Sequence, residues 1–170
     1  MASYAFLGVR YRTTDGGPAN IKTFPEAATQ TFVAGDLVTL SSGKVAVAVA
    51  ASGTYASSDV EGGTILGVAL EPASGTTDDP VKVAIADDRL EILLTCLHAT
   101  PASAVTAVAQ VGTTYDIGHY TLSGVTGWGY MIDDTSAANA MPVDIDDRYA
   151  VGEQYGTAWC KIPAAKRTLA

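Results

Sequence analysis

Short apolar alternations, each closed by a turn signal within a few residues, constrain this chain more than any other feature. The stretch FVAGDLVTLSSGKVAVAVA from Phe32 sets the pattern. It has a Gly-Asp turn, Leu37 beside the alternating Val38 and Leu40, a Ser41-Ser42-Gly43 turn, and a second strand with Val45, Val47 and Val49 on one face. A period of two sends successive side chains to opposite faces, and Gly supplies the backbone freedom that a tight reversal needs. TILGVALEPA repeats the style, with Gly67 marking a bulge or a close backbone approach. VKVAIADDRLEILLTCLH sets Val81, Val83 and Ile85 in phase, then an Asp87-Asp88 turn, then an apolar strand from Leu90 to Leu97. PASAVTAVAQ reads equally as a helical turn or two, with Pro101 at its start, or as a loose strand. VGTTYDIGHYTLS, TGWGYMIDD, MPVDIDD and YGTAWCKIP complete a series of short strands, which predicts an all-β sandwich or small barrel.

A length of 170 residues favours one domain, with enough chain to bury a sizeable core. The first thirty residues carry Gly16, Gly17, Pro18 and Pro25 with no sustained period, and predict an extended N-terminal arm over residues 1–30. The β-rich domain is expected over 31–163 and a basic tail over 164–170. Gly35, Val38 and Leu40 recur in spacing as Gly112, Tyr115 and Ile117, which suggests two similar β modules, 31–98 and 110–163. Apolar residues make up 48% and charged residues 16%, a balance that excludes a disordered chain. No apolar run reaches the roughly 20 residues of a membrane span, and the N-terminus lacks a signal-peptide core. The expectation is a soluble protein made in the cytoplasm.

The net charge of -8 is unevenly spread. Residues 1–24 and 161–170 hold six of the ten bases (Arg10, Arg12, Lys22, Lys161, Lys166, Arg167) and one acid, Asp15, so the body between them is near -13. Such a body repels nucleic acid. The basic ends are either simply solvated or lie on the acidic surface of a neighbouring copy. Cys96 and Cys160 stand outside any CxxC spacing. They read as reduced, buried thiols, or as a disulfide if their strands meet.

Catalytic signatures are sparse. A nucleophilic hydrolase needs a base beside its Ser or Cys, and only His98 and His119 are present. His98 in TCLHATP reaches Cys96 only across the strand's own backbone, and no GxSxG surrounds Ser123. The pairs Asp78-Asp79, Asp87-Asp88, Asp133-Asp134 and Asp146-Asp147 read as turn residues whose carboxylates bond nearby N–H groups. Asp144, Asp146 and Asp147 alternate as calcium ligands do, without the Gly and distal Glu of an EF-hand loop. Zinc spacing and phosphate loops are missing too. The sequence therefore predicts no enzyme, no cofactor, no metal, no nucleic acid and no membrane partner.

The run Ala34, Gly35, Asp36, Val38, Leu40, Gly43 and Val45, followed by Gly67, Val68 and Ala69 and then VKVAIADDRLEILL, resembles the capsid decoration (head cement) proteins of tailed bacteriophages. VGTTYDI, the Trp128 strand and YGTAWCKIPA are similar to how such chains end, so the resemblance spans most of residues 30–163. It implies a small β-barrel or β-tulip domain, dimeric or trimeric, on the outer face of the virion head. Its partners would be the major capsid protein and neighbouring copies of itself. In that reading the arm makes capsid or inter-subunit contacts through Tyr4, Phe6, Arg10, Tyr11, Arg12 and Lys22, because Arg and aromatic residues anchor interfaces. Removal of residues 1–24 is then expected to leave a folded domain that no longer binds. The alternatives are a tail, baseplate or head-fibre component whose Tyr and Trp residues contact a host glycan, and a lectin or carbohydrate-active enzyme using the Asp pairs.

Overall fold

A computed structural model describes residues 9–48, 63–122, 125–135 and 137–169. Regular structure among them is β strand apart from three short 3₁₀ turns, two of them (Pro101–Ser103 and Val108–Gln110) within the Ala-rich segment. The strands are β1 (Tyr11–Thr13), β2 (Ile21–Pro25), β3 (Leu37–Ser41), β4 (Lys44–Val47), β5 (Gly67–Ala69), β6 (Pro80–Ile85), β7 (Leu90–Leu97), β8 (Asp116–Leu122), β9 (Val125–Met131), β10 (Met141–Ile145) and β11 (Thr157–Lys161). They form two sheets. One runs β2-β6-β5-β3-β4; the other runs β10-β11-β7-β9-β8, with β1 also paired to β7. The fold is all-β, compatible with a sandwich, and the described strands form no closed barrel.

The first sheet follows the sequence reading closely. Ser42 and Gly43, both at positive φ, turn β3 into β4, and Leu40 pairs Val45 across the hairpin. Val81, Val83 and Ile85 share a core with Val38, Val45, Leu66, Ala69 and Phe32, while Leu37, Val68 and Ala84 on the other face join a second core. Both faces of this sheet are thus apolar, which explains why Leu37 and Val38 stand side by side. Each large side chain buried this way contributes on the order of 1.5–3 kcal/mol. Val49 lies outside the described residues.

The sheet is rolled. Its edge strands β2 and β4 approach at one end, where Glu26 bridges Val45 and the Ala27 N–H donates to the Val45 carbonyl at 2.8 Å. Glu26 is fully buried there, and a buried carboxylate needs donors around it. The backbone N–H groups of Ser74 and Gly75 supply them, each at 2.8 Å.

The back of the rolled sheet packs on the inner face of the second one. That core joins Leu37, Val68 and Ala84 to Ile92, Leu94, Cys96, Ile117, Trp128, Tyr130, Ala158 and Cys160. Strand β7 is the spine of the second sheet. One of its edges carries β11, and the other is shared, with β1 paired antiparallel to Leu90–Ile92 and β9 paired parallel to Thr95–Leu97.

Two expectations change. Residues 9–30 do run extended, but they are built into the body: β1 fills the part of the β7 edge that β9 leaves vacant, and Ile21–Pro25 pairs along β6. The module boundary also moves, because β7 leaves the first sheet for the second, and the two sheets differ in strand order. The tail is likewise docked, with Arg167 bridging Ile65 and its guanidinium on Asp88 at 2.6 Å.

Candidate interaction surface

Strand β1 brings Arg12 opposite Glu91 on the outer face of the second sheet. The Arg12 guanidinium donates to Glu91 at 2.6 Å and to Asp144 on β10 at 3.2 Å, and lies 4.3 Å from the centroid of Trp159. Lys161 stands 3.9 Å from the same Glu91. Four strands are tied by this group, and its planar cation suits both the carboxylates and the indole face. Three of the six bases at the ends, Arg12, Lys161 and Arg167, therefore lie on acidic groups of their own chain. Arg12 is a positioning residue of the fold as well as a surface residue.

Arg10 and Tyr11 are placed differently. The Arg10 carbonyl accepts the Leu93 N–H at 2.8 Å, and its side chain is exposed; Tyr11 is 37% exposed. Both line an open, shallow groove of about 250 Å³ with Val9, Ala34, Gly35, Val68, Ala69 and Leu70. The groove sits where the N-terminal strand meets the rolled sheet: the Val9 N–H donates to the Gly35 carbonyl at 2.9 Å, and the Gly35 N–H to the Ala69 carbonyl at 2.8 Å. Lys22 is exposed on β2 opposite Val83 and takes no part in the groove. Tyr4 and Phe6 fall outside the described residues. The sequence reading missed Ala34 and Leu70 because both belong to turn and strand signatures. The available signal was Val33-Ala34, two apolar residues before a turn with no strand to bury them.

Several carboxylates are tied down locally. The Asp87 carboxylate accepts the N–H groups of Arg89 and Leu90 at 2.9 and 3.0 Å, and Asp116 accepts those of Ala137 and Ala138, both at 2.6 Å. Asp146 accepts from Thr157 and from the Arg148 guanidinium. These are the turn and cap roles that Asp favours. Asp144 and Asp146 are thus partnered by protein cations, and no group of three or more His, Cys, Asp or Glu able to hold a metal occurs among the described residues. The His98 Nδ1 accepts the Thr100 N–H at 2.8 Å, while Cys96 faces the core. His119 packs on Trp128 with ring centroids 4.8 Å apart, and burial pushes its pKa down despite the pull of nearby Asp36. Ser123 is outside the described residues.

The two cysteines occupy one core without meeting. Cys160 lies opposite Ile92, four residues along β7 from Cys96. At about 3.3 Å per residue that is roughly 13 Å along the strand, against a Cα separation of less than about 7 Å for a disulfide. Both are free thiols.

No family model, curated protein or solved structure matches the chain. No helix among the described residues is long and apolar enough to cross a membrane.

Proposed function

We propose that this chain is a structural virion protein that binds the outer surface of an assembled phage capsid and stabilises contacts between major capsid proteins. The observation that carries the reading is the shallow apolar groove bordered by Arg10 and Tyr11, an arrangement suited to a protein surface rather than to enclosing a substrate. Three further features support it. The four bases of the body, Lys44, Lys82, Arg89 and Arg148, are each paired with a carboxylate of the chain, the exposed positions are rich in Ser, Thr and Ala, and the turn pattern resembles decoration proteins. Repetition by lattice symmetry turns many modest contacts of this kind into strong retention.

The glycan reading is less well served. Trp128 is buried, with its N–H on Asp36, and Trp159 has Arg12 over its ring.

The test is co-sedimentation with purified capsids, together with the copy number in gradient-purified particles relative to the major capsid protein. The expected result is a simple ratio fixed by lattice symmetry, with binding reduced at least tenfold in Arg10→Glu/Tyr11→Ala. Absence from particles would overturn the proposal, and a few copies per particle would move the protein to the tail or a vertex.

A further inference from the structure

Asp15-Gly16 is the one Asp-Gly step in the chain, and no Asn-Gly step occurs. The pairing matters chemically because Gly has no side chain to shield its backbone nitrogen from the carboxyl group before it. That nitrogen can attack the Asp Cγ: a C–N bond forms, the carboxyl C–OH bond breaks, and water leaves with the N–H proton. Water then opens the resulting succinimide at either carbonyl. One opening returns aspartate; the other leaves isoaspartate, whose backbone runs through the side-chain carbon. No oxidant or further reactant enters.

The turn after β1 leaves this step sterically open. The Asp15 side chain is 51% exposed, Gly16 sits at φ +67°, and nothing lies within 4 Å of the position a Gly16 Cβ would take. Three hydrogen bonds guard the bond instead. The Gly16 N–H donates to the Thr13 carbonyl at 3.1 Å, which engages the proton that the nitrogen must lose. One Asp15 carboxylate oxygen accepts the Gly17 N–H at 3.1 Å, and the other accepts from the Arg89 guanidinium at 3.1 Å. These last two bonds, that of Gly17 first, hold the carboxyl below its usual range. An ionised carboxylate has no hydroxyl to lose. Of the three guards only Arg89 comes from outside the turn, and its guanidinium also stands 3.9 Å from Asp87.

We propose that Asp15-Gly16 is a site of isoaspartate formation and that the Arg89 guanidinium gates it. With Arg89 on the carboxylate the step is suppressed; when the contact opens, the carboxyl is released to the Gly16 nitrogen. The product bears on the fold because it adds an atom to the backbone of the reversal that follows β1. That reversal is held to the second sheet by the Thr14 N–H on the Arg89 carbonyl at 2.9 Å, beside the strand that brings Arg12 to Glu91. None of this chemistry depends on capsid binding.

The experiment incubates the full chain at neutral pH for several weeks and follows isoaspartate at residue 15 by peptide mapping. Four samples are compared: the native protein, the protein denatured in guanidinium chloride, Arg89→Ala and Arg89→Lys. The native chain is expected to react at least about fivefold more slowly than the denatured one, because local opening leaves the reactive form a minority. Arg89→Ala should recover most of that difference with circular dichroism unchanged, and Arg89→Lys should restore part of the protection. No isoaspartate in the denatured chain, a native rate equal to the denatured one, or an Arg89→Ala rate equal to the native one would each overturn the proposal. Should Arg89→Ala fail to fold, raised ionic strength makes the same test on the unaltered protein, since salt screens an exposed ion pair. Faster reaction in salt is expected there, and an unchanged rate would remove Arg89 as the gate.

Discussion

The indole N–H of Trp128 donates to the Asp36 carboxylate at 2.9 Å, joining residues 92 apart in sequence. The other oxygen of Asp36 accepts the Val33 N–H at 2.8 Å, so one side chain shapes the turn before β3 and anchors the second sheet to it. Asp36→Ala leaves a buried indole donor without its partner and is expected to cost about 2–3 kcal/mol in equilibrium urea unfolding. With Trp128→Phe as the second arm, a double-mutant cycle should give a coupling of at least about 1 kcal/mol. A coupling near zero would remove Asp36 from the joint between the sheets.

The placement of β1 and β2 sets how much of the N-terminus is dispensable. A chain beginning at Val9 keeps both strands and should melt like the full protein. A chain beginning at Pro25 strips Ile21–Phe24 from β6 and β1 from β7, and leaves Glu91 without Arg12. It is expected to lose cooperative thermal unfolding, in contrast to the folded product predicted for that truncation from sequence.

Gly67 is needed because nothing larger fits. A Cβ there would lie 1.9 Å from the Ala84 carbonyl oxygen on the paired strand. Gly67→Ala must part β5 from β6, at a cost of about 3 kcal/mol or more. Gly112, at positive φ with nothing within 4 Å of its Cβ position, should tolerate Asn, a residue at ease in that conformation. Similar melting temperatures for the two variants would contradict this account.

Burial pushes the Cys96 thiol up to about 11, with weaker opposition from Tyr130 and Gln110, and raises the fully enclosed Cys160 well above the ordinary thiol value. Neither is a thiolate near neutral pH, so neither should react with an aromatic disulfide reagent in the native protein. Both should react in denaturant without prior reduction. A disulfide detected by mass spectrometry would contradict the strand register.

Burial alone would raise the Asp146 carboxyl, but the bonds from Arg148 and Thr157 outweigh it and hold the group below its usual range. A carboxylate depressed in the folded state contributes stability above its unfolded value of about 3.9, and that contribution is lost as pH falls through the lower folded value. Asp146→Asn should therefore cost about 1–2 kcal/mol at neutral pH. Its disadvantage should shrink in denaturation measured below about pH 3.9. An unchanged gap would remove this carboxylate from the acid transition.

The hairpin of β3 and β4 was legible because the information is local: alternating valines and leucines, a Ser-Gly reversal and a partner within a few residues. The same holds for Val81, Val83 and Ile85. Strands β1 and β2 were not legible, since YRT and IKTFP alternate nothing apolar and are held by partners about 60 to 80 residues away. Their strand character belongs to the edges of β7 and β6. Nor does local spacing report that Leu97, after an Asp-Asp turn, belongs to a different sheet from Ile85. The groove shares this non-local character, because Ala34 and Leu70 meet Tyr11 only once the two sheets stack.

The contact between Glu26 and Val45 governs how such a protein meets other chains. Open sheet edges recruit foreign strands indiscriminately, through backbone groups that every polypeptide possesses. Rolling the sheet until β2 and β4 touch withdraws those groups from circulation at that end, with Pro25, which has no N–H to offer, as the last residue of β2. Recognition there is left to side chains, which discriminate between partners in a way that a bare ladder does not.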